Sequence, residues 1–130
     1  VTRFLELGQS IPVVRGIFHL TLVHNTGAAF GILKNQVPVF IATSLFTIFL
    51  IYRNLTQEQH KKPSWYQVSL CLILAGALGN LIDRVSLGYV IDFLDFRVWP
   101  VFNIADSAIT VGAVALGVSI LREPKQQAHG

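Results

Sequence analysis

Three long stretches of the chain carry no charged side chain: Asn35 to Tyr52, Pro63 to Ile82 and Ser107 to Leu121. Each approaches the roughly 20 apolar residues that a helix needs to cross a bilayer core about 30 Å thick. The pattern predicts three membrane spans, at about residues 37–53, 66–83 and 103–121, with a polar tail over 122–130. Trp65 and Tyr66 open the second span, where amphipathic rings suit the headgroup layer. Outside the spans the period changes. From Ile17 to His24, the apolar Phe18, Leu20 and Leu22 alternate with Ile17, His19, Thr21 and Val23, the period of two expected of a half-buried strand. Asn25, Thr26 and Gly27 then supply turn chemistry. Gly88 to Val98 is a second extended segment, with Val90, Asp92, Leu94 and Phe96 on one face and Tyr89, Ile91, Phe93, Asp95 and Arg97 on the other. Extended backbone cannot face lipid within the hydrocarbon, so both segments belong at an interface. The expected fold class is an all-α transmembrane helical bundle with a small β-sheet at its outer face, forming one integral membrane domain over residues 1–130.

Composition narrows the function. Residues are 52% hydrophobic and only 13% charged, against about 25% charged in an ordinary soluble domain. The same balance excludes a disordered chain. The lone Cys71 excludes a disulfide scaffold and, inside an apolar run, reads as a small packing residue. A net charge of +3 comes from scattered basic residues without interleaved aromatics, which argues against a nucleic-acid partner. Short cytoplasmic loops collect Lys and Arg. Arg53, Lys61 and Lys62 after the first span, and Arg122 and Lys125 after the last, therefore place those segments and the C-terminus in the cytoplasm. The outer side receives the residues up to Asn35 and the connection from Asp83 to Phe102. An outside start that carries Arg3 and Arg15, begins with Val1 and has no methionine predicts a preceding helix, with Val1 to Leu7 as its tail.

Candidate chemistry gathers among the acids. Asp83, Asp92, Asp95 and Asp106, four of the seven, map to the outer ends of the last two spans or to the segment between them. Ionisable groups at membrane depth are costly and mark functional candidates. Pro100 and Asn103 look like the entry to the last helix, which places Asp106 in its first turn. Helix capping alone would account for both Asn103 and Asp106. Yet the same i, i+3 spacing recurs as Asn80 and Asp83, and two such pairs at facing helix ends favour a site. Asp92, between Ile91 and Phe93 on a mostly apolar strand face, needs a partner or a proton. Asp95 shares the other face with Arg97 and reads as an ion pair.

Other nucleophiles and metals find less support. Ser107 has no evident His or Lys partner at its depth, and His19 and His24 fall on opposite strand faces, unsuited to sharing a metal. No metal or other cofactor is expected. The small residues Ala75, Gly76, Gly79, Ala108, Gly112, Ala113 and Gly117 offer close helix approach. Gly27 serves either close packing or backbone approach to a substrate. From the residues alone, a membrane hydrolase competes with a small ion or proton transporter subunit using Asp92 and Asp106, and with a structural assembly subunit. Convergence of the two carboxylates at one interface would favour hydrolysis.

Four segments carry a family resemblance: N-T-G-A-A-F-G (Asn25 to Gly31), G-N-L-I-D-R (Gly79 to Arg84), Y-V-I-D-F (Tyr89 to Phe93) and F-N-I-A-D-S-A (Phe102 to Ala108). Together, and in this order, they resemble the signature blocks of bacterial lipoprotein signal peptidase, signal peptidase II, over about Leu7 to Leu121. The resemblance implies a four-helix aspartic endopeptidase of the bacterial cytoplasmic (inner) membrane with a small periplasmic sheet. Its substrate is a diacylglyceryl-modified prolipoprotein, cleaved just before the modified cysteine, so membrane lipid is the implied surrounding. Carried onto this sequence, the catalytic pair falls on Asp92 and Asp106. Asn25, Asn80, Arg84 and Asn103 fall on positions that line the site and hold substrate, and Asp83 on a structural position. The family's first helix has no counterpart here, leaving three spans of four. The oligomeric state is not legible.

Overall fold

The computed structural model describes residues 1–28, 32–57 and 64–122. Its elements run β1 (Ser10–Val14), β2 (Phe18–Asn25), α1 (Val37–Gln57), α2 (Trp65–Leu87), β3 (Val90–Asp95) and α3 (Ile104–Arg122). All three helices are long and apolar enough to cross a membrane, and the strands form one open antiparallel sheet in the order β1-β2-β3. Lys61, Lys62 and the polar tail beyond Arg122, which carried part of the expected cytoplasmic charge, lie outside the described residues, as do Ala29, Phe30 and Gly31.

Local chemistry sets the helix bounds. Ser64 caps α2 by accepting from the Gln67 amide, and the Gln67 side chain accepts from the Ser64 amide in return. Two of the donors orphaned at the helix start are thus satisfied. At the other end Gly88 adopts φ 81°, a left-handed conformation natural to glycine, and its N–H bonds the Arg84 carbonyl. This cap is why the third strand is shorter than the Gly88 to Val98 of the sequence pattern. It begins only at Val90, and it ends at Asp95 because the backbone turns through Arg97 at φ 67°. The chain then doubles back so that Phe102 pairs with Leu94, and the next residue, Asn103, caps α3.

Strand β1 was not foreseen. Its five residues are all exposed, and Pro12, without a donor, is tolerated because the strand lies at the sheet edge. The pairing is continued by Gly8, whose N–H bonds the Leu22 carbonyl, while Leu5 is buried nearby. A second departure lies in β2. Leu20 pairs with Leu94 and Val23 with Asp92, so three steps on β2 oppose two on β3. This extra residue is a bulge, and it breaks the strict alternation expected from Ile17 to His24.

Helix α2 is the middle layer, packed against α3 on one side and α1 on the other. Small residues let α2 and α3 approach. A Cβ built on Gly76 would collide with the Ala105 carbonyl and Ile109, and one on Gly112 would sit 2.8 Å from the Ser69 carbonyl. Gly117 faces open space and contributes nothing to this packing. Cys71 departs from expectation: it is exposed on the outer surface of the helices and is not a packing residue. Accordingly, Gly76→Val should lower the melting temperature of the detergent-solubilised protein by several degrees, in line with the ~1–3 kcal/mol cost of overpacking. Gly117→Ala should leave it unchanged; equal effects would show that α2 and α3 do not depend on close approach.

Candidate active site

Asp92 and Asp106 meet through one residue. The Asn103 side-chain N–H donates to Asp92 Oδ1 at 2.9 Å, and the Asn103 backbone N–H donates to Asp106 Oδ2 at 3.1 Å. The Asp106 backbone N–H returns a bond to Asn103 Oδ1 at 2.9 Å. This is the reciprocal cap expected at a helix start, here built from Asn and Asp. It does both jobs at once, because the capping asparagine also reaches the strand carboxylate.

The amide orientations can be deduced. Asn103 Oδ1 faces a backbone N–H, so its Nδ2 must face Asp92 and, at 3.0 Å, Asn80 Oδ1. Asn80 therefore turns its own Nδ2 to Asp106 Oδ1, at 2.8 Å. Likewise Asn25 Oδ1 accepts from the Gly27 N–H at 2.9 Å, which leaves its Nδ2 to donate to Asp92 Oδ2 at 2.9 Å. Two backbone donors thus fix three side-chain amides, and every one presents N–H to a carboxylate oxygen. All four oxygens of Asp92 and Asp106 accept a hydrogen bond.

The bulge in β2 makes this possible. Thr21 and Asn25 are four residues apart and would share a face in a regular strand. With the extra residue between Leu20 and Val23, Asn25 reaches Asp92 while Thr21 donates to Asp95 Oδ2 at 2.7 Å on the opposite face. Asp95 also pairs with Arg97 at 3.0 Å, the ion pair expected from the strand pattern. Burial pushes Asp95 up, but its bonds from Thr21 and Arg97 and the Arg97 charge outweigh it, holding the carboxyl below its ordinary value.

Asp92 behaves differently. It is 1% exposed, and desolvation is the largest influence, raising it to about 6, with the neighbouring Asp106 adding to the rise. The bonds from Asn25 and Asn103 and the Arg84 charge oppose this without cancelling it. A buried carboxyl beside a second carboxyl holds a proton well above the usual range.

Asn25, Asn80, Arg84, Asp92 and Asp106 border a cavity of about 840 Å³, and Asn103 stands immediately behind it. Arg84 lies with its guanidinium 5.0 Å from the centre of the Phe40 ring. Asp83 points elsewhere, accepting from the Ile91 N–H at 3.1 Å and so joining α2 to β3. Ser107 borders the cavity but bonds back to the Asn103 carbonyl, and His24 is stacked on Tyr89 with ring centres 3.9 Å apart. Among the described residues no group of three or more His, Cys, Asp or Glu is placed to hold a metal. Gly27 serves packing within the chain: an added Cβ would lie 2.8 Å from the Ile32 carbonyl.

Some of the lining was not anticipated. Phe96 and Phe102 border the cavity and continue a row of rings that includes Phe18, with centres 4.8 and 6.0 Å apart. From α1 come Thr43, Ser44 and Thr47, whose i, i+4 threonines in an otherwise apolar helix were the signal available in the sequence.

The family model for signal peptidase (SPase) II matches residues 1–122. This chain belongs to the signal peptidase II family. It is 53% identical over 117 residues to the lipoprotein signal peptidase of Caldanaerobacter subterraneus subsp. tengcongensis, covering 88% of this chain and 79% of that one. It is 47% identical over 122 residues to that of Moorella thermoacetica, covering 92% and 79%. A bacterial membrane enzyme solved by the in meso method at 2.3 Å superposes with a TM-score of 0.88 at 30% identity, over 99% of this chain and 80% of that one.

The signal peptidase II geometry around Asp92 has a measurable consequence. Because its folded value is raised, this carboxyl's contribution to stability is complete below about 4 and is lost as pH rises through about 6. Infrared difference spectra of the solubilised protein should show a protonated-carboxyl band that titrates near pH 6 and is absent in Asp92→Asn. A band unchanged by that substitution would assign the proton elsewhere.

Proposed function

We propose that this chain is a membrane aspartic endopeptidase that cleaves prolipoproteins just before their diacylglyceryl-modified cysteine, with Asp92 and Asp106 as the catalytic pair. Membership of the signal peptidase II family supports the reaction. The observation that carries the mechanism is the meeting of both carboxylates on Asn103 at the edge of one cavity.

Two neighbouring carboxylates resist simultaneous ionisation, so one keeps a proton while the other acts as base. Asp92, fully buried, is the proton holder in the resting site. Asp106 lies in the first turn of α3, where the positive end of the helix dipole suits an anion. Asp106 takes a proton from a water molecule, and that water attacks the scissile carbonyl. Asp92 hydrogen-bonds the carbonyl oxygen as charge develops there and gives its proton to help the amine depart. No covalent intermediate forms. Asn25, Asn80 and Asn103 hold the two carboxylates in register, and Arg84 offers donors to the substrate backbone.

The outer end of the helices, with the sheet, faces the periplasm in this reading, and the C-terminus is cytoplasmic. Lys and Arg around the α1–α2 connection support that orientation. A transporter subunit is less well supported, because both acids lie at one helix end beside a strand.

Asp92→Asn and Asp106→Asn should each abolish conversion of a diacylglyceryl-modified prolipoprotein to its shorter form while the protein still accumulates in the membrane. An amide cannot accept the water proton or supply a titratable acid, and here it would also turn one N–H toward an existing donor. Asp95→Asn, on the other strand face, should retain substantial activity. Near-normal turnover by either dyad variant would remove that residue from the mechanism. For orientation, cysteines placed at Lys61 and Gly88 should react with a membrane-impermeant thiol reagent in intact cells at Gly88 only. Labelling at Lys61 would invert the topology.

A further inference from the structure

Arg84 occupies an unusual position for a cation. It borders the same cavity as Asp92 and Asp106, and the charges of Asp106, Asp92 and Asp83 all act on it. Even so, among the described residues its guanidinium forms no ion pair or hydrogen bond; it lies over the Phe40 ring, 5.0 Å from the centroid. Phe40 belongs to the first turn of α1, so the contact joins the outer ends of α1 and α2.

The placement matters because of what the alternative would do. A guanidinium binds carboxylate bidentately and strongly favours its ionised form. If Arg84 closed onto Asp92 or Asp106, the ionised form of that acid would be favoured, and the pair would give up its proton at lower pH. A ring face offers a cation a competing attraction without removing a proton from anything. Because Arg84 also borders the cavity, N–H donors not spent on the carboxylates remain available to a substrate carbonyl.

We propose that Phe40 is a positioning residue for the peptidase reaction: its ring holds the Arg84 guanidinium off the Asp92 and Asp106 carboxylates, so that the pair retains one proton while Arg84 stays available to substrate. This rests on the reading of Asp92 and Asp106 as the catalytic pair. The groups that face Asp92 are few. Arg84 comes from α2 and Asp106 from α3, β2 presents the neutral Asn25 amide, and Asp83 is engaged by the Ile91 N–H. Helix α1 contributes the Phe40 ring and the hydroxyls of Thr43, Ser44 and Thr47 to this region, with no charge. Arg84 is therefore the cation whose movement would discharge the pair.

The experiment compares Phe40→Leu with Phe40→Tyr in the full chain. In Phe40→Leu the freed guanidinium should pair with the carboxylates and shift the infrared carboxyl titration downward by about one pH unit or more. The upper limb of the kcat/KM profile should move to lower pH by the same amount. At pH 7 kcat/KM should fall roughly ten-fold, since the protonated fraction above its midpoint drops ten-fold per unit. Phe40→Tyr keeps the ring and should restore both midpoint and rate. If Phe40→Leu does not accumulate in the membrane, Phe40→Met, which keeps apolar volume without a ring, carries the same comparison. An unmoved titration midpoint in the ring-less variant overturns the proposal, whether its rate is normal or reduced. So does equal impairment of Phe40→Tyr, which would mark Phe40 as ordinary packing. The dyad is tested separately: full activity in Asp92→Asn would sink the underlying reading, whereas inactive dyad variants beside a Phe40→Leu of normal pH profile would sink only this one.

Discussion

Among the described residues no cation is paired with the two carboxylates at the edge of the membrane bundle, and the rest of the structure follows from the need to satisfy them. A buried carboxylate is costly unless its oxygens are satisfied. Here neutral amides supply the donors, and Asn103 supplies two of them, one from its side chain and one from its backbone. Its position is set by three separate features: the start of α3, the return of Phe102 onto β3, and the bond to Asn80 on α2. Amides have a consequence that arginines would not. They stabilise the oxygens without adding a positive charge, so a proton can still reside on the pair.

Much of this was written plainly in the sequence. The charge-free stretches locate the three helices because a helix in lipid must be apolar along its length. The i, i+3 relation of Asn103 and Asp106 signals a capped helix start, since that spacing is dictated by helix geometry. Isolation of Asp92 among Ile91 and Phe93 flags a carboxylate in need of partners.

What the sequence concealed is equally physical. A bulge depends on how two distant strands pair, so the pattern of β2 alone could not reveal that Thr21 and Asn25 serve opposite faces. Strand β1 has no buried face, hence no alternation to detect. Cys71 resembles a packing residue because lipid-facing and core-facing positions are equally apolar in a membrane helix; only the helix arrangement separates them. Arg84 reads as the polar end of a span, and its relation to Phe40 spans two helices with no sequence spacing to betray it.

The bulge also bears on how this protein can change. Surface strands usually tolerate a gained or lost residue, because the ends can adjust. In β2 the two-against-one pairing between Leu20 and Val23 decides which side of the sheet each polar group occupies, since the two faces serve different carboxyls. Regular pairing at the present length would bring Thr21 and Asn25 onto one face and leave Asp92 or Asp95 without its partner from this strand. The offset of the pairing, as distinct from the identity of the residues in the bulge, is therefore what each polar group depends on.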